Sequence, residues 1–152
     1  MGYYAAYGSN LNLDQMKRRC PESFVYGVAT LQNYQLNFRG VKGSSYLTVD
    51  PKEGEEVPLL IWRITENDEK ALDRYEGYPY AYLKRDVVVD IKRFNGEQET
   101  RKVMLYQMVG GRGISKPSTA YLDTCLEGYN DNNLDISSFL EAYSRSLSES
   151  YT

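Results

Sequence analysis

Apolar residues alternate with polar ones, or form short β-branched runs, along much of this chain, and both patterns are typical of β-strands. They predict strands over residues 3–7, 24–38, 46–49, 57–64, 85–94 and 97–109. We expect the second strand to bend near Asn33, and a polar turn over residues 50–54 to join the third to the fourth. Asn95-Gly96 is a strong hairpin signal and predicts a type I′ turn between the last two strands.

Helical spacing of apolar residues predicts four helices outside these strands. They are expected to begin after Asn12, Thr65, Ser118 and Asp135. Gln15 and Asp68 follow the first two of these positions by three residues and are expected to complete capping boxes. Pro21 ends the first helix, and Gly77 with Pro79 ends the second. The buried helix faces are predicted to consist of Leu13, Met16, Cys20, Leu72, Tyr75, Tyr121, Leu122, Cys125, Leu126, Tyr129, Ile136, Phe139, Leu140 and Tyr143.

These elements together indicate an α+β protein, in which a mostly antiparallel β-sheet carries a few helices. The regular strand–helix alternation of a doubly wound fold is absent from the pattern. No internal repeat, low-complexity segment or linker divides the 152 residues. We therefore expect a single domain over residues 1–145, followed by a polar, frayed tail over residues 146–152.

Composition excludes several kinds of chemistry. The chain contains no histidine, which excludes a Ser-His-Asp triad, a Cys-His pair and a histidine-ligated metal. Acid–base chemistry therefore falls to Asp, Glu, Lys, Tyr or Cys. The 18 Lys and Arg residues nearly balance the 21 Asp and Glu residues. That balance argues against a dedicated nucleic-acid binder, which usually carries a clear basic excess.

The cysteines and the N-terminus indicate the compartment. Cys20 and Cys125 are too few for a structural zinc site, and we expect both to be buried free thiols, although a disulfide is possible. The first ten residues lack the basic segment and long apolar stretch of a signal peptide. No apolar run approaches the roughly 20 residues that a membrane helix requires. We therefore expect a cytoplasmic protein that does not associate with membranes.

The first candidate site is the segment 7–11, directly after the first strand. Gly8 permits a sharp turn, and Ser9 and Asn10 carry side chains that form hydrogen bonds. A passage from strand to helix leaves backbone N–H groups unpaired, and these can bind an anion or a developing oxyanion. The other interpretation is a plain turn, which the pattern alone favours because Gly, Ser and Asn are common turn residues.

The second candidate site is Glu76, at the C-terminal end of the second predicted helix. The negative end of the helix dipole and partial burial among tyrosines would both raise the pKa of this carboxyl. A carboxylate of that kind can act as a general base near neutral pH. A solvated glutamate at a helix end is an equally good interpretation of the residue by itself.

Two further motifs carry weaker signals. The basic cluster Lys17-Arg18-Arg19 lies on a helix with core residues, so a solvated face is a better interpretation than a nucleic-acid contact. The segment 110–113, Gly-Gly-Arg-Gly, lacks the Lys-Ser/Thr ending of a phosphate-binding loop.

Four segments resemble, in order and spacing, the signature segments of the gamma-glutamylcyclotransferase family. Residues 4–11, Tyr-Ala-Ala-Tyr-Gly-Ser-Asn-Leu, closely resemble its signature loop, and residues 54–62 resemble its second strand signature. Residues 72–77 look like the segment that holds its catalytic glutamate. Residues 117–121 resemble the segment that places a tyrosine beside the substrate. The agreement in order and spacing covers nearly the whole chain.

The resemblance implies a small, mostly antiparallel β-barrel flanked by helices. It also implies release of 5-oxoproline from a small γ-glutamyl compound, whose α-amine attacks its own γ-carbonyl and expels the attached amine. Glu76 is the implied acid–base catalyst. No metal, nucleotide or other cofactor is implied. The residues implied to bind the substrate are Tyr4, Ala5, Ala6, Tyr7, Gly8, Ser9, Asn10, Leu11 and Tyr121.

Two other classes of function compete with this one. A non-catalytic module could use the same fold to bind a small ligand, although such a module has little use for Glu76. A tyrosine-rich nucleic-acid module is opposed by the charge balance. Arg39 and Arg112 are candidates for binding the substrate's α-carboxylate. The sequence does not select the γ-glutamyl compound or the oligomeric state.

Overall fold

The strands in the computed structural model, which describes residues 1–149, close into a small barrel. They are β1 (Gly2–Ala6), β2 (Phe24–Val41), β3 (Ser44–Ile64), β4 (Tyr82–Arg93) and β5 (Gln98–Met108). Their hydrogen-bonding order is β1-β3-β2-β4-β5. Neighbouring strands are antiparallel except β1 and β5, whose parallel pairing closes the barrel. The predicted α+β class and the mostly antiparallel barrel flanked by helices are confirmed, and the parallel pair makes the barrel mixed.

Helices flank the barrel where the capping residues predict them. In the described range they are a 3₁₀ turn (Ser9–Leu11), α1 (Leu13–Arg19), α2 (Glu66–Glu76), α3 (Thr119–Asp131) and α4 (Ser137–Glu149). Thr65 and Asp68 form the predicted capping box of α2. The hydroxyl of Ser118 accepts the N–H of Tyr121 at the start of α3. None of the helices described is long and apolar enough to cross a membrane.

β3 continues without interruption through residues 50–54, so the predicted turn at this position is wrong. β2 lies beside β3 on both sides of the segment and maintains the ladder. The extra β3 residues form a bulge opposite Asn33, whose φ of 63° marks the predicted bend in β2. The side-chain oxygen of Asn33 accepts the N–H of Gly54 at 3.0 Å, which holds the bulge in place.

Asn95-Gly96 joins β4 to β5 as predicted, but the turn is not of type I′. Of the two residues, Gly96 has a positive φ of 90°. The N–H of Gly96 donates to the carbonyl of Arg93 at 3.0 Å, and the N–H of Arg93 donates to the carbonyl of Glu97 at 2.8 Å. This is the three-residue hairpin loop in which a left-handed residue forms a bulge. Asn95 uses its side chain to accept the N–H of Glu97, which requires no positive φ.

Three residues predicted to lie on buried helix faces are exposed instead. The exposed fractions are 38% for Leu13, 59% for Tyr75 and 51% for Leu140. Each helix contacts its neighbouring elements along a narrow stripe, so an apolar residue at the edge of the predicted face lies outside the contact. The ring of Tyr75 is covered by the guanidinium of Arg19, 4.0 Å from the ring centroid.

The last helix extends into the segment that the sequence assigns to the polar tail. α4 continues through Ser146 to Glu149. Ser146 is buried because it shares a helix face with Phe139 and Ala142, which pack into the core. Residues 150–152 lie outside the described part of the chain.

Both cysteines are buried free thiols, as predicted. Burial raises the pKa of Cys20 and of Cys125 to about 12. Neither is therefore a reactive thiolate near neutral pH.

α3 packs directly on the segment that follows β1. A Cβ added to Gly128 would lie 2.6 Å from the Cβ of Leu11 and 2.8 Å from the backbone nitrogen of Asn12. The amide of Asn132 donates to the carbonyl of Leu11 at 2.8 Å. Leu11 is fully buried in this contact, so α3 fixes the end of the 3₁₀ turn.

Gly128→Ala is expected to destabilise the fold by about 1–3 kcal/mol, because the added methyl group overlaps backbone and has no flexible neighbour to displace. Urea denaturation measures the loss. Gly110→Ala is the matched control, since its Cβ would meet nothing within 4 Å. Equal stability of the two variants would contradict the close contact of α3 with Leu11.

Candidate active site

The segment 7–11 leaves the barrel at the end of β1 and turns at once into the 3₁₀ turn. The N–H groups of Leu11 and Asn12 donate back to the carbonyls of Gly8 and Ser9, both at 3.0 Å. The N–H groups at the start of such a turn have no acceptor within it. A Cβ on Gly8 would lie 3.3 Å from the hydroxyl of Tyr121, so the absence of a side chain lets that tyrosine approach the turn.

The side chain of Asn10 lies at the centre of a hydrogen-bond network. Its amide nitrogen donates to the hydroxyl of Tyr4 at 2.9 Å and to Oε1 of Glu76 at 3.5 Å. Its oxygen accepts from Gln15 at 3.1 Å and from Arg19 at 2.8 Å. The two donors and two acceptors of the amide are therefore all used, which fixes its orientation.

The first helix supplies two of these contacts. Asn12 caps α1 as predicted, since its side-chain oxygen accepts the N–H of Gln15 at 3.0 Å. The reciprocal bond expected of a capping box is replaced, because the side chain of Gln15 extends to Asn10 instead. Arg19 lies three residues after the buried Met16 and therefore points to the same side of α1.

Glu76 is the last residue of α2 and lies partly buried beside Asn10. The helix ends here because Gly77 adopts the left-handed conformation with φ 64°, as its position predicts. Burial raises the pKa of the Glu76 carboxyl to about 7, and the positive charge of Arg19 opposes this shift. A carboxyl with that pKa exchanges its proton readily at neutral pH.

A cavity of about 570 Å³ joins these groups. Most of the predicted site residues line it: Tyr4, Tyr7, Gly8, Ser9, Asn10, Glu76 and Tyr121. The sequence did not assign several other lining residues to a site, among them Gln15, Arg19, Tyr46, Arg74, Tyr82, Tyr106 and Thr124. The cavity is therefore lined by both aromatic and charged side chains.

The predicted tyrosines line the cavity mainly with their rings, because hydroxyls among them are hydrogen-bonded to the backbone. The hydroxyl of Tyr7 donates to the carbonyl of Tyr106 at 2.6 Å, and that of Tyr121 accepts the N–H of Leu47 at 3.0 Å. Burial is the main cause that raises the pKa of Tyr4, Tyr7 and Tyr121, so all three are neutral at physiological pH. They form a polar-edged but uncharged wall.

Three residues implied to bind substrate do not line the cavity. Ala5 and Ala6 are buried in the ladder between β1 and β3, and Leu11 is buried beneath α3. Arg112 lines the cavity. Arg39 does not; it forms an ion pair with Asp50 at 2.9 Å.

Arg19 lines the cavity, although the sequence interpretation assigns it to a solvated face. Lys17 and Arg18 are exposed as predicted, whereas Arg19 is half-buried. Its spacing from Met16 was the available signal. No group of Cys, Asp and Glu within residues 1–149 is arranged to hold a metal ion.

The mixed barrel, with a carboxylate in a tyrosine-lined cavity beside a Gly-Ser-Asn turn, has the fold of the gamma-glutamyl cyclotransferases. A solved gamma-glutamyl cyclotransferase superposes with a TM-score of 0.72 and 25% identity, covering 89% of this chain and 82% of that chain. The family model for "Gamma-glutamyl cyclotransferase, AIG2-like" matches residues 4–123. The chain belongs to this family, as its resemblance predicts.

Curated relatives agree with this assignment. The gamma-glutamylcyclotransferase of Bos taurus is 28% identical over 142 residues, which cover 88% of this chain and 72% of the relative. That of Homo sapiens is 26% identical over 140 residues, with the same coverage.

Glu76→Gln is expected to stabilise the folded protein above pH 7 by about 1–3 kcal/mol, because the folded state no longer buries a charge. The folded pKa lies above the usual value of 4.5, so wild-type stability falls as pH rises between these values. Near pH 4 the carboxyl is mostly protonated in both states, and the two proteins should differ little. Urea denaturation at pH 4, 6 and 8 measures the effect.

Glu53→Gln is the matched control, since Glu53 is exposed on the bulge of β3. A difference between wild type and Glu76→Gln that is the same at all three pH values would contradict the raised pKa.

Proposed function

We propose that this protein releases 5-oxoproline from a γ-glutamyl compound, with Glu76 as the acid–base catalyst. The observation that carries the proposal is the position of Glu76, a partly buried carboxyl with a pKa of about 7, beside the Ser9–Leu11 turn in one cavity. Membership of the gamma-glutamyl cyclotransferase family supports the same reaction.

The first chemical requirement is a base. The substrate's α-ammonium cannot attack until it loses a proton, and the Glu76 carboxylate accepts it. The freed nitrogen then bonds to the γ-carbonyl carbon and closes the five-membered ring. The attacking nitrogen gives up its second proton as it becomes the lactam N–H and the bond from that carbon to the attached amine breaks. Glu76 returns the first proton to the leaving nitrogen, which takes up the second as well and is released as an ammonium. No net proton is gained or lost by the enzyme.

The second requirement is stabilisation of the γ-carbonyl oxygen, which gains negative charge during attack. The N–H groups of Ser9 and Asn10 begin the 3₁₀ turn and border the cavity, so they are suited to this role. The third requirement is a folded substrate. The rings of Tyr4, Tyr7 and Tyr121 form a wall that would hold the glutamyl chain in its cyclising shape.

Glu76→Gln is expected to lower turnover by a factor of about 10²–10⁴, because glutamine cannot accept a proton. Binding should change far less, since glutamine keeps the shape of the side chain. Release of 5-oxoproline from a panel of γ-glutamyl amino acids and γ-glutamyl amines measures turnover, and calorimetry measures binding. Glu53→Gln again serves as the control and should match wild type.

The outcomes separate the proposal from its main rival. Turnover by Glu76→Gln at the wild-type rate would contradict the assigned base. Binding of panel compounds without release by wild type would indicate a small-ligand binding module on the same fold.

A further inference from the structure

The C-terminal turn of α2 is held in place by polar contacts more than by apolar packing. Of the eleven residues of α2, all within the described part of the chain, Leu72 is the one apolar residue that is fully buried. Glu76, one turn later, contacts Asn10 at 3.5 Å, the longest of the four hydrogen bonds of that amide. A hydrogen bond of this length restrains the helix end only weakly. The position of Glu76 therefore requires a further anchor.

The side chain of Asp73 joins this turn to the barrel. Its Oδ1 accepts the hydroxyl of Tyr106, on β5, at 2.6 Å. The ammonium of Lys84, on β4, donates to the same carboxylate at 2.9 Å. Tyr106 is buried and lines the cavity. Burial, together with this hydrogen bond, raises the pKa of Tyr106, so its hydroxyl keeps the proton that it donates to Asp73.

The backbone of Asp73 closes the same helix turn. Its carbonyl accepts the N–H of Tyr78 at 2.9 Å, just beyond the left-handed Gly77. Glu76 follows Asp73 by three residues, so the two side chains lie on the same side of α2, about 4.5 Å apart along its axis. A shift of Asp73 relative to the barrel would therefore move Glu76 with it.

The charge of Asp73 is compensated where it lies, by the Lys84 ammonium and the Tyr106 hydroxyl. The pKa of Glu76 responds instead to burial and to the charge of Arg19 on α1. The Glu76 carboxylate raises in turn the pKa of tyrosines that face it from β1, the loop after β1, β4, β5 and α3: Tyr4, Tyr7, Tyr82, Tyr106 and Tyr121. Asp73 is thus suited to act on Glu76 through position and not through charge.

We propose that Asp73 is a positioning residue for the acid–base catalyst, and that its contacts with Tyr106 and Lys84 hold the last turn of α2 so that Glu76 faces the cavity. The effect on turnover rests on the proposed function, whereas the placement of Glu76 is measurable without turnover. Tyr106 belongs to the same unit, because its hydroxyl has Asp73 as its acceptor.

Asp73→Ala and Tyr106→Phe remove the same hydrogen bond from its two sides. We expect each to lower kcat for 5-oxoproline release by about 10–100-fold, because a small displacement of the base is costly in rate. KM should stay within about threefold of wild type. The double variant should lose no more than either single variant, since all three lack one bond. The assay uses the γ-glutamyl compound of the panel that wild type turns over fastest.

A conservative variant and a matched control separate positioning from general destabilisation. The side-chain oxygen of Asp73→Asn can still accept the Tyr106 hydroxyl, so this variant should recover most of kcat. Asp90 also accepts a hydroxyl at 2.6 Å, that of Thr100, and it bridges the same two strands outside the cavity. Asp90→Ala should therefore match wild type in kcat. Urea denaturation identifies the variants that are folded under the assay conditions.

A ¹³C NMR titration of the Glu76 carboxyl measures its placement directly. Asp73→Ala should lower the midpoint below that of wild type, because a displaced carboxyl is better hydrated. Asp73→Asn should keep the wild-type midpoint, although it removes the same charge. An equal fall in the two variants would show that Asp73 acts through its charge and would overturn the positioning role.

The kinetic outcomes decide between the inference and the proposed function. Wild-type kcat in Asp73→Ala or Tyr106→Phe, or additive losses in the double variant, would overturn the inference and leave the proposed function standing. An equal loss in Asp90→Ala would also overturn it, because the effect would then be general. Absence of 5-oxoproline release by wild type would overturn the proposed function, and the NMR titration would still decide whether Asp73 places Glu76.

Discussion

The candidate site depends on one buried amide, that of Asn10, which is 3% exposed. Its four hydrogen bonds tie β1, α1 and α2 together through Tyr4, Gln15, Arg19 and Glu76. Leaving a buried polar group without a hydrogen-bond partner costs about 1–3 kcal/mol of folding free energy. Each of these residues therefore restrains the positions of the others. The turn, the carboxylate and its nearest cation are therefore placed as a single unit.

Two further hydrogen bonds attach this unit to the barrel and to α3. The indole N–H of Trp62, on β3, donates to the carbonyl of Asn10 at 3.1 Å. The hydroxyl of Tyr129, on α3, donates to the carbonyl of Tyr7 at 3.1 Å. Both ends of the loop after β1 are thus hydrogen-bonded to rigid elements of the fold, one end to β3 and the other to α3. A site that must position a reacting amine and carbonyl gains from such support.

Opposing forces set the electrostatics of Glu76. Burial favours the neutral acid, and Arg19 favours the carboxylate, with the result that the pKa lies near neutrality. Without burial the group would be too weak a base, and with burial alone it would hold its proton more tightly. Because Arg19 also donates to Asn10, the charge that tunes the base is fixed by the same amide that contacts it.

Features that depend on local chemistry could be predicted from the sequence. The caps at Asn12, Thr65 and Ser118 and the helix stop at Gly77 follow from neighbouring residues alone. The continuity of β3 could not be predicted, because it depends on pairing with β2, which is distant in sequence.

The candidate site likewise has residues that the sequence predicts and residues that it does not. The loop and Glu76 stand in motifs that resemble a known family, so the sequence identifies them. The inward direction of Arg19 depends on where Asn10 and Tyr75 lie, and these contacts form only when α1 and α2 meet. Ala5, Ala6 and Leu11 are buried away from the cavity. A continuous sequence motif does not show which of its residues will be buried in this way.

The central claim is that the fold holds Glu76 as a base poised near neutral pH. The most direct measurement is a ¹³C NMR titration of the protein labelled at glutamate side-chain carboxyls, with Glu76→Gln used to assign the signal. The account predicts that the Glu76 signal titrates with a midpoint of about 7. A midpoint in the ordinary glutamate range, near 4.3, would contradict it.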